Sequence, residues 1–322
     1  MITELERRLC AAATDGPTSD EMGEVVSRAI AGLVAHDSLH LSWRNPGTNI
    51  AAFGFWHRHT PELDRRELID RYCRPDAVDP VEQECLVVNA RDRSELRLFL
   101  RGSHGAWGTL VLSRAQGAFE PDEADRAVGL VGPLVAASRC YVRSAPLWSS
   151  GPDLAPGVLM VGPDHTVRAV TPEGRAWLRE IRLPGALATP EWAATALASE
   201  VSLASRRFAV DPTASRPMTC LPAAFAGRWV SVHAQAFTAD GAGDVTVIIQ
   251  AAGADLLPAL SSWYDLTRRE RAVIDHLREG ICTKQIARRL ELSVHTVNDY
   301  LKAVYRKTTL SGRDEIMAVL SR

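Results

Sequence analysis

The 322-residue chain contains no run of 18 or more apolar residues, so no segment reads as a membrane-spanning helix. It opens with MITELERRLC, charged and amphipathic, without the basic-then-apolar order of a secretory signal. The expected compartment is the cytoplasm. Six cysteines (Cys10, Cys73, Cys85, Cys140, Cys220 and Cys282) form no C-x-x-C pair, which removes the usual zinc and dithiol spacings. In a reducing compartment they are expected to be free and packed. There is no Gly-rich phosphate loop and no G-x-G-x-x-G, so the common nucleotide-binding turns are missing. G-x-S-x-G and its Asp and Cys versions are also missing, and a nucleophile elbow has nowhere to sit. The acidic cluster and lysine of a phosphoacceptor domain do not occur near the start, and no internal repeat or low-complexity stretch is present.

Charged residues are present in ordinary number, 24% of the chain, but are unevenly placed. The chain has 37 Lys and Arg against 39 Asp and Glu, a net charge of −2. Residues 266–322 alone hold 12 basic and 7 acidic side chains, a net +5, leaving −7 on residues 1–265. A basic end on an acidic body suits phosphate contact at that end and little nonspecific binding elsewhere. The length allows two or three domains. Two stretches divide it: Ser144–Pro156, rich in Ser, Pro and Gly, and Gly253–Asp265.

The basic end carries the clearest local signals. Thr267-Arg268-Arg269-Glu270 has the S/T-x-x-E form of a capping box. Val273, Ile274 and Leu277 follow, and Gly280 supplies a stop. A second short helix is predicted near Thr283, burying Ile286, Ala287 and Leu290. Ser293 is placed to cap a third helix. In that helix Val294, Val297, Leu301 and Val304 form one stripe, while His295, Asn298, Asp299, Lys302 and Arg306 recur on another face. Two short helices joined by a tight turn, the second with such a face, make a helix-turn-helix whose second helix is sized for the major groove. A fourth helix follows Ser311.

The same residues resemble a family. Leu266, Thr267, Arg269, Glu270, Gly280, Lys284, Ile286, Ala287, Leu290, Ser293, Thr296, Val297, Leu301, Lys307, Arg313 and Glu315 match the LuxR/GerE-type helix-turn-helix over the whole segment. The resemblance implies that Thr283, Lys284, Val294 and Thr296 touch the DNA backbone. It implies that Asn298, Asp299 and Lys302 face base edges, beside His295 on the same surface, and that Arg306 and Lys307 extend the basic surface. It also implies that the fourth helix pairs with its mate in a homodimer on double-stranded DNA. Many members carry Lys in place of Asn298, a neutral residue in place of Asp299 and His in place of Tyr300. Asn reads adenine well, a carboxylate accepts from cytosine N4, and Asp299 repels phosphate, so an unusual operator is expected.

The body is less explicit. Glu21–Ala35 reads as a helix, Leu39–Trp43 and Ile50–His57 as strands around an Asn-Pro-Gly turn, and Leu63–Tyr72 as a helix. Leu96–Leu100 and Trp107–Leu112 read as strands around Gly-Ser-His-Gly, followed by one helix from Phe119 toward Val142. A mixed sheet closed by helices is expected. RLFLRGSHGAWGTLVLSR (Arg97–Arg114) and the helix after it resemble a GAF domain. The second part opens with GVLMVGPDHTVRAVTPEGRAWL (Gly157–Leu178), two strands and a helix starting at Thr171-Pro172. Pro184–Ser205 is Ala-rich helical text, and strands are predicted near Phe208–Val210, Trp229–Phe237 and Val245–Gln250. This order is similar to a PAS domain. The resemblances imply sheets with a helix-roofed cavity, used by family members for small ligands, haem or flavin, or pairing.

Few constellations carry chemistry. His57 and His59 share a strand face, and His36 and His40 lie four apart, but no third metal ligand has a diagnostic spacing. His104-Gly-Ala-Trp107-Gly looks like the oxyanion text of α/β-hydrolases, without the elbow that chemistry needs. Trp43, Trp56 and Trp107 could line a site for a flat ligand, with core packing as the alternative. The expectation is therefore a multidomain α+β protein. GAF-like and PAS-like mixed α/β sensor modules at 1–143 and 157–252 precede linkers at 144–156 and 253–265 and an all-α four-helix LuxR-type domain at 266–322. It reads as a dimeric transcriptional regulator, not an enzyme, with no cofactor or metal and an unknown small-molecule ligand. A ligand-free body used for oligomerisation or protein docking is the alternative.

Overall fold

The computed structural model describes residues 2–58, 84–89, 93–102, 105–147, 154–181, 190–253 and 255–320. The predicted helix Leu63–Tyr72, and with it Cys73, His59 and His104, lies outside the described residues. No described helix is long and apolar enough to cross a membrane.

The first module begins with helices α1 (Ile2–Thr14) and α2 (Ser19–Ile30). In α1, Leu5, Leu9 and Ala13 recur every four residues and are buried, the stripe of an amphipathic helix. A capping box starts α2: Glu21 N–H donates to Thr18 Oγ1, and Thr18 N–H donates to the Glu21 carboxylate at 2.8 Å. A five-stranded sheet follows, built from β1 (Ser38–Asn45), β2 (Ile50–His57), β3 (Cys85–Asn89), β4 (Ser94–Gly102) and β5 (Gly105–Arg114) in the order β2-β1-β5-β4-β3. Leu39, Leu41 and Trp43 alternate inward on β1 with Leu96, Leu98 and Leu100 on β4 and Leu110 and Leu112 on β5, all completely or nearly completely buried. Every pairing is antiparallel, which corrects the expected mixed sheet. Hairpins join neighbouring strands, and β5 returns beside β1 in the opposite direction. Strand β3 was not foreseen.

The helix expected from Phe119 to Val142 is two helices, α3 (Pro121–Val128) and α4 (Val131–Ser144). Pro133 lies in the first turn of α4, where its missing N–H costs nothing. Inside one continuous helix its ring would clash with the carbonyl four residues earlier.

The second module comprises β6 (Gly157–Val161), β7 (Val167–Val170), α5 (Pro172–Glu180), α6 (Pro190–Val210), β8 (Met218–Leu221), α7 (Ala223–Ala226), β9 (Val230–Ala236) and β10 (Val245–Ala251). Its order, β7-β6-β10-β9-β8, is again antiparallel and repeats that of the first sheet. Helix α5 starts as expected, with Thr171 as cap and Pro172 at its first position. The predicted strand Phe208–Val210 is instead the end of α6. There the guanidinium of Arg206 donates to the carbonyls of Gly162, Gly241 and Gly243 at 2.5–2.7 Å. These long-range bonds hold the last turn and override the β preference of a short apolar run. The strand that follows is β8.

The modules meet along the edges of their sheets. Thr219 Oγ1, on β8, donates to the carbonyl of Ala51 on β2 at 3.0 Å. Glu200 of α6 takes both guanidinium nitrogens of Arg44 at 3.0 and 3.2 Å and the N–H of Ala51 at 2.9 Å. The two side chains are only 16% and 11% exposed.

The segment expected as a joining stretch, Gly253–Asp265, contains a buried helix, α8 (Leu256–Trp263). Trp263 is fully buried, with ring centroids 5.0 Å from Trp107 and 5.5 Å from Phe53. Arg143 of α4 donates to its carbonyl at 3.1 Å, placing a cation at the negative end of α8. Four helices complete the chain: α9 (Arg268–Arg278), α10 (Thr283–Arg289), α11 (Val294–Thr308) and α12 (Arg313–Leu320).

Candidate nucleic-acid interface

Helix α9 begins with the foreseen capping box. Thr267 Oγ1 accepts from Glu270 N–H at 3.2 Å, and Glu270 accepts from Thr267 N–H at 2.6 Å. Gly280 ends the turn after α9 with φ of +77°, a left-handed conformation glycine adopts without strain. Helix α10 starts at Thr283, where the sequence placed it. Cys282 is the cap and Thr283 the first helical residue, with Gln285 accepting from Cys282 N–H at 3.3 Å. Ser293 caps α11, accepting from Thr296 N–H at 3.0 Å.

Helix α11 has two faces. Val297, Leu301, Val304 and Thr308 are buried against α9 and α10. Val294, expected in this stripe, is the first helical residue and is 44% exposed. Thr308 extends the stripe at the other end, its hydroxyl donating back to Val304 O at 2.8 Å. The opposite face presents His295, Asn298, Asp299, Lys302 and Arg306, all exposed. Asp299 lies between His295 Nε2 at 3.4 Å and Lys302 Nζ at 3.9 Å. These contacts are solvent-bathed and weak, so Lys302 is free to leave for a stronger acceptor. Lys284 is exposed on α10, Thr283 is half-buried beside it and Thr296 is half-buried at the start of α11. Arg288, not anticipated as a contact, is exposed on α10 with no ion pair among the described residues. The adjacent Arg288-Arg289 pair was the available signal.

Lys307 is placed differently from the other expected contacts. Its Nζ lies 2.7 Å from Glu270 Oε2 and 2.7 Å from the carbonyl of Asp265. The Glu270 side chain is only 5% exposed. Burial pushes the Glu270 carboxyl up, but the Lys307 ammonium and the Thr267 N–H outweigh it and hold the group below its ordinary value. Lys307 ties the long helix to the start of the domain, which a motif cannot show because its partner is 37 residues away.

A short helix, a tight turn and a longer helix with an exposed polar and basic face form a helix-turn-helix. Residues 265–320 match the pattern of the bacterial regulatory proteins of the luxR family. This segment is a LuxR-family DNA-binding domain. The chain is also similar to the Monoamine regulon transcriptional regulator of Klebsiella aerogenes, at 38% identity over 64 residues, which is 20% of this chain and 26% of that relative. The chain thus spans about a quarter of that relative's length. The body upstream of the LuxR-family domain lies outside the family match.

The other nominated groups fall elsewhere. Trp43 is fully buried, at ring distances of 6.2 Å from both Phe53 and Phe55. A bulge leaves Trp107 as the extra residue opposite Leu100 and Arg101 and brings it against Trp263. Trp56 lies on the other sheet face, half-buried and stacked on His40 at 5.2 Å. The structure brings Trp43 and Trp107 into one core and leaves Trp56 apart. His36 is taken by Ser27 Oγ and Val34 O at 2.9 and 2.8 Å, away from the His40 stack. No group of three or more His, Cys, Asp or Glu able to hold a metal occurs among the described residues. The described cysteines are all free, with Cys220 buried and Cys282, against expectation, exposed. Burial pushes the Cys220 thiol up to about 12.

Proposed function

We propose that the chain is a transcriptional regulator whose two-module body receives a signal and controls the binding of a homodimeric helix-turn-helix to promoter DNA. The observation that carries this reading is the exposed face of α11, with its polar and basic residues presented by a LuxR-family domain. Asn298 and Lys302 read base edges, Asp299 restricts the choice of site, and His295 borders them. Thr283, Lys284, Val294, Thr296 and Arg306 contact the DNA backbone. The body is read as a GAF-like module followed by a PAS-like one. The repeated strand order and the strand–turn–strand–helix opening of the second module support this reading.

A second reading has an observation of its own. Trp43 and Trp107 are closed inside the first module, which favours a body that docks partners or copies of itself without a ligand there. Selection of bound fragments from random duplex DNA by the full chain tests the regulator reading. A reproducible, two-fold symmetric motif is expected, lost in Asn298→Ala. Binding without sequence enrichment would overturn it.

A further inference from the structure

We propose that the cleft where the three modules meet binds a small polar molecule carrying an oxyanion, a carboxylate or a phosphate, and that this ligand fastens the helix-turn-helix domain to the body. The cleft encloses about 530 Å³, within the size range of metabolite sites. Its walls come from separate parts of the chain. Thr48 lies on the β1–β2 turn, Arg216 precedes β8, and Asp255 precedes α8. Arg271, Asp275 and Arg278 share one face of α9 at spacings of four and three.

Charge decides what the cleft accepts. Asp255 meets His233 Nε2 at 3.1 Å, and Asp275 lies 3.9 Å from Arg278. Arg216 and Arg271 have no ion pair among the described residues, although both line the cleft. Two guanidinium groups from different modules, neither holding an ion pair, thus line a space they share with Asp255 and Asp275, and planar forks of this kind suit an oxyanion. Thr48 adds an independent sign. The residue is more than nine-tenths buried, and its hydroxyl has no hydrogen-bond partner, an unusual state for a buried polar group. Rotation of this side chain toward an oxyanion in the cleft would supply the missing acceptor. The two aspartates leave room for hydroxyl or ammonium donors on the rest of the ligand.

Such a ligand touches α9 and the body together, so it binds best when the domain is held in this arrangement. DNA affinity and ligand affinity are then coupled. That coupling rests on reading the C-terminal domain as the output; the site itself does not.

Calorimetric titration of the full chain with inorganic phosphate and with citrate, at ionic strength held constant with chloride, reads the site without DNA. At least one anion is expected to bind saturably. Arg216→Ala and Arg271→Ala should each weaken it about ten-fold or more, while Arg179→Ala, away from the cleft, should not. Both cleft residues are exposed, and unchanged melting in chloride confirms that the variants fold. No saturable binding of either anion, or binding that survives both substitutions, overturns the proposal. Fluorescence anisotropy with duplex DNA on the same samples separates the two readings. Oxyanion binding without any DNA binding would sink the regulator reading and leave the site. DNA affinity unmoved by saturating anion would remove the fastening role.

Discussion

Two sheets of one strand order lie side by side in the body, and different chemistry closes them. Large rings close the first: Trp43, Trp107, Phe53, Phe55 and Tyr141, with Trp263 arriving from α8. On the second, α6 presents small and hydroxyl-bearing side chains, Ala194, Ala198, Ser199, Val201, Ser202 and Ser205, beside the buried Trp177 of α5 and Trp229. Their hydroxyls turn back on their own helix, as Ser199 does to Thr195 O at 2.6 Å and Ser202 to Ser199 O at 2.9 Å. A ring core has shape and can key an incoming tryptophan. A layer of alanine and serine lets a helix lie close but offers little to grip. The second module stands next to α8 in sequence, whereas the first holds α8 by packing. The helix that leads into the DNA-binding domain is therefore anchored in the first module's core.

Trp263→Ala would break that contrast most severely. Removing a fully buried indole should cost about 3–5 kcal/mol, read as a lowered midpoint in urea unfolding of the full chain. A cost near that of an exposed substitution would mean that α8 is not keyed into the first core. Next in size is Glu200→Ala, which removes the carboxylate that joins Arg44 and the Ala51 N–H to the second module. Loss of one partner of a buried pair costs about 3 kcal/mol, and it should make the two modules unfold in separate steps. A single transition with an unchanged midpoint would deny the pair its joining role. Lys302→Ala should weaken specific DNA binding by about 1–3 kcal/mol. Equal weakening on random DNA, with a shallower salt dependence, would make it a phosphate contact.

The smallest effect concerns pH. The Glu270 carboxyl is held below its ordinary value, so its pair with Lys307 contributes fully above the ordinary glutamate value of 4.5. That contribution is lost as pH falls through the depressed folded-state value. Thermal melts of the wild type and Glu270→Gln should therefore converge as pH drops below that range. A constant gap between the two would show that the carboxylate charge is not what Lys307 requires.

Legibility in the sequence followed the distance between interacting residues. The Thr267–Glu270 box, the Gly280 stop and the outward face of α11 are encoded within one or two turns, and each was readable. The paired strands β1–β2 and β4–β5 were readable because alternation is local. Helix α6 overran the predicted strand at Phe208–Val210 because Arg206 bonds to glycine carbonyls at least 35 residues away. Val294 matched the inward stripe by spacing but is exposed at the first position of its helix. Lys307 matched a family position, while its partners Glu270 and Asp265 could be known only from the fold. The three-module cleft has no motif at all, since Thr48, Arg216 and Arg271 become neighbours only after the chain has folded.

The meeting of β2 with β8 has a bearing on how the molecule can be divided. Each is the outermost strand of its sheet, and each shields the other's edge, with Ala51 N–H and C=O both occupied by groups of the second module. A fragment ending before residue 157 would bare those groups on an edge strand, an invitation for another copy to add on. Such a fragment should self-associate even if its own core is intact, so the two modules are better regarded as one unit of solubility than as separable parts.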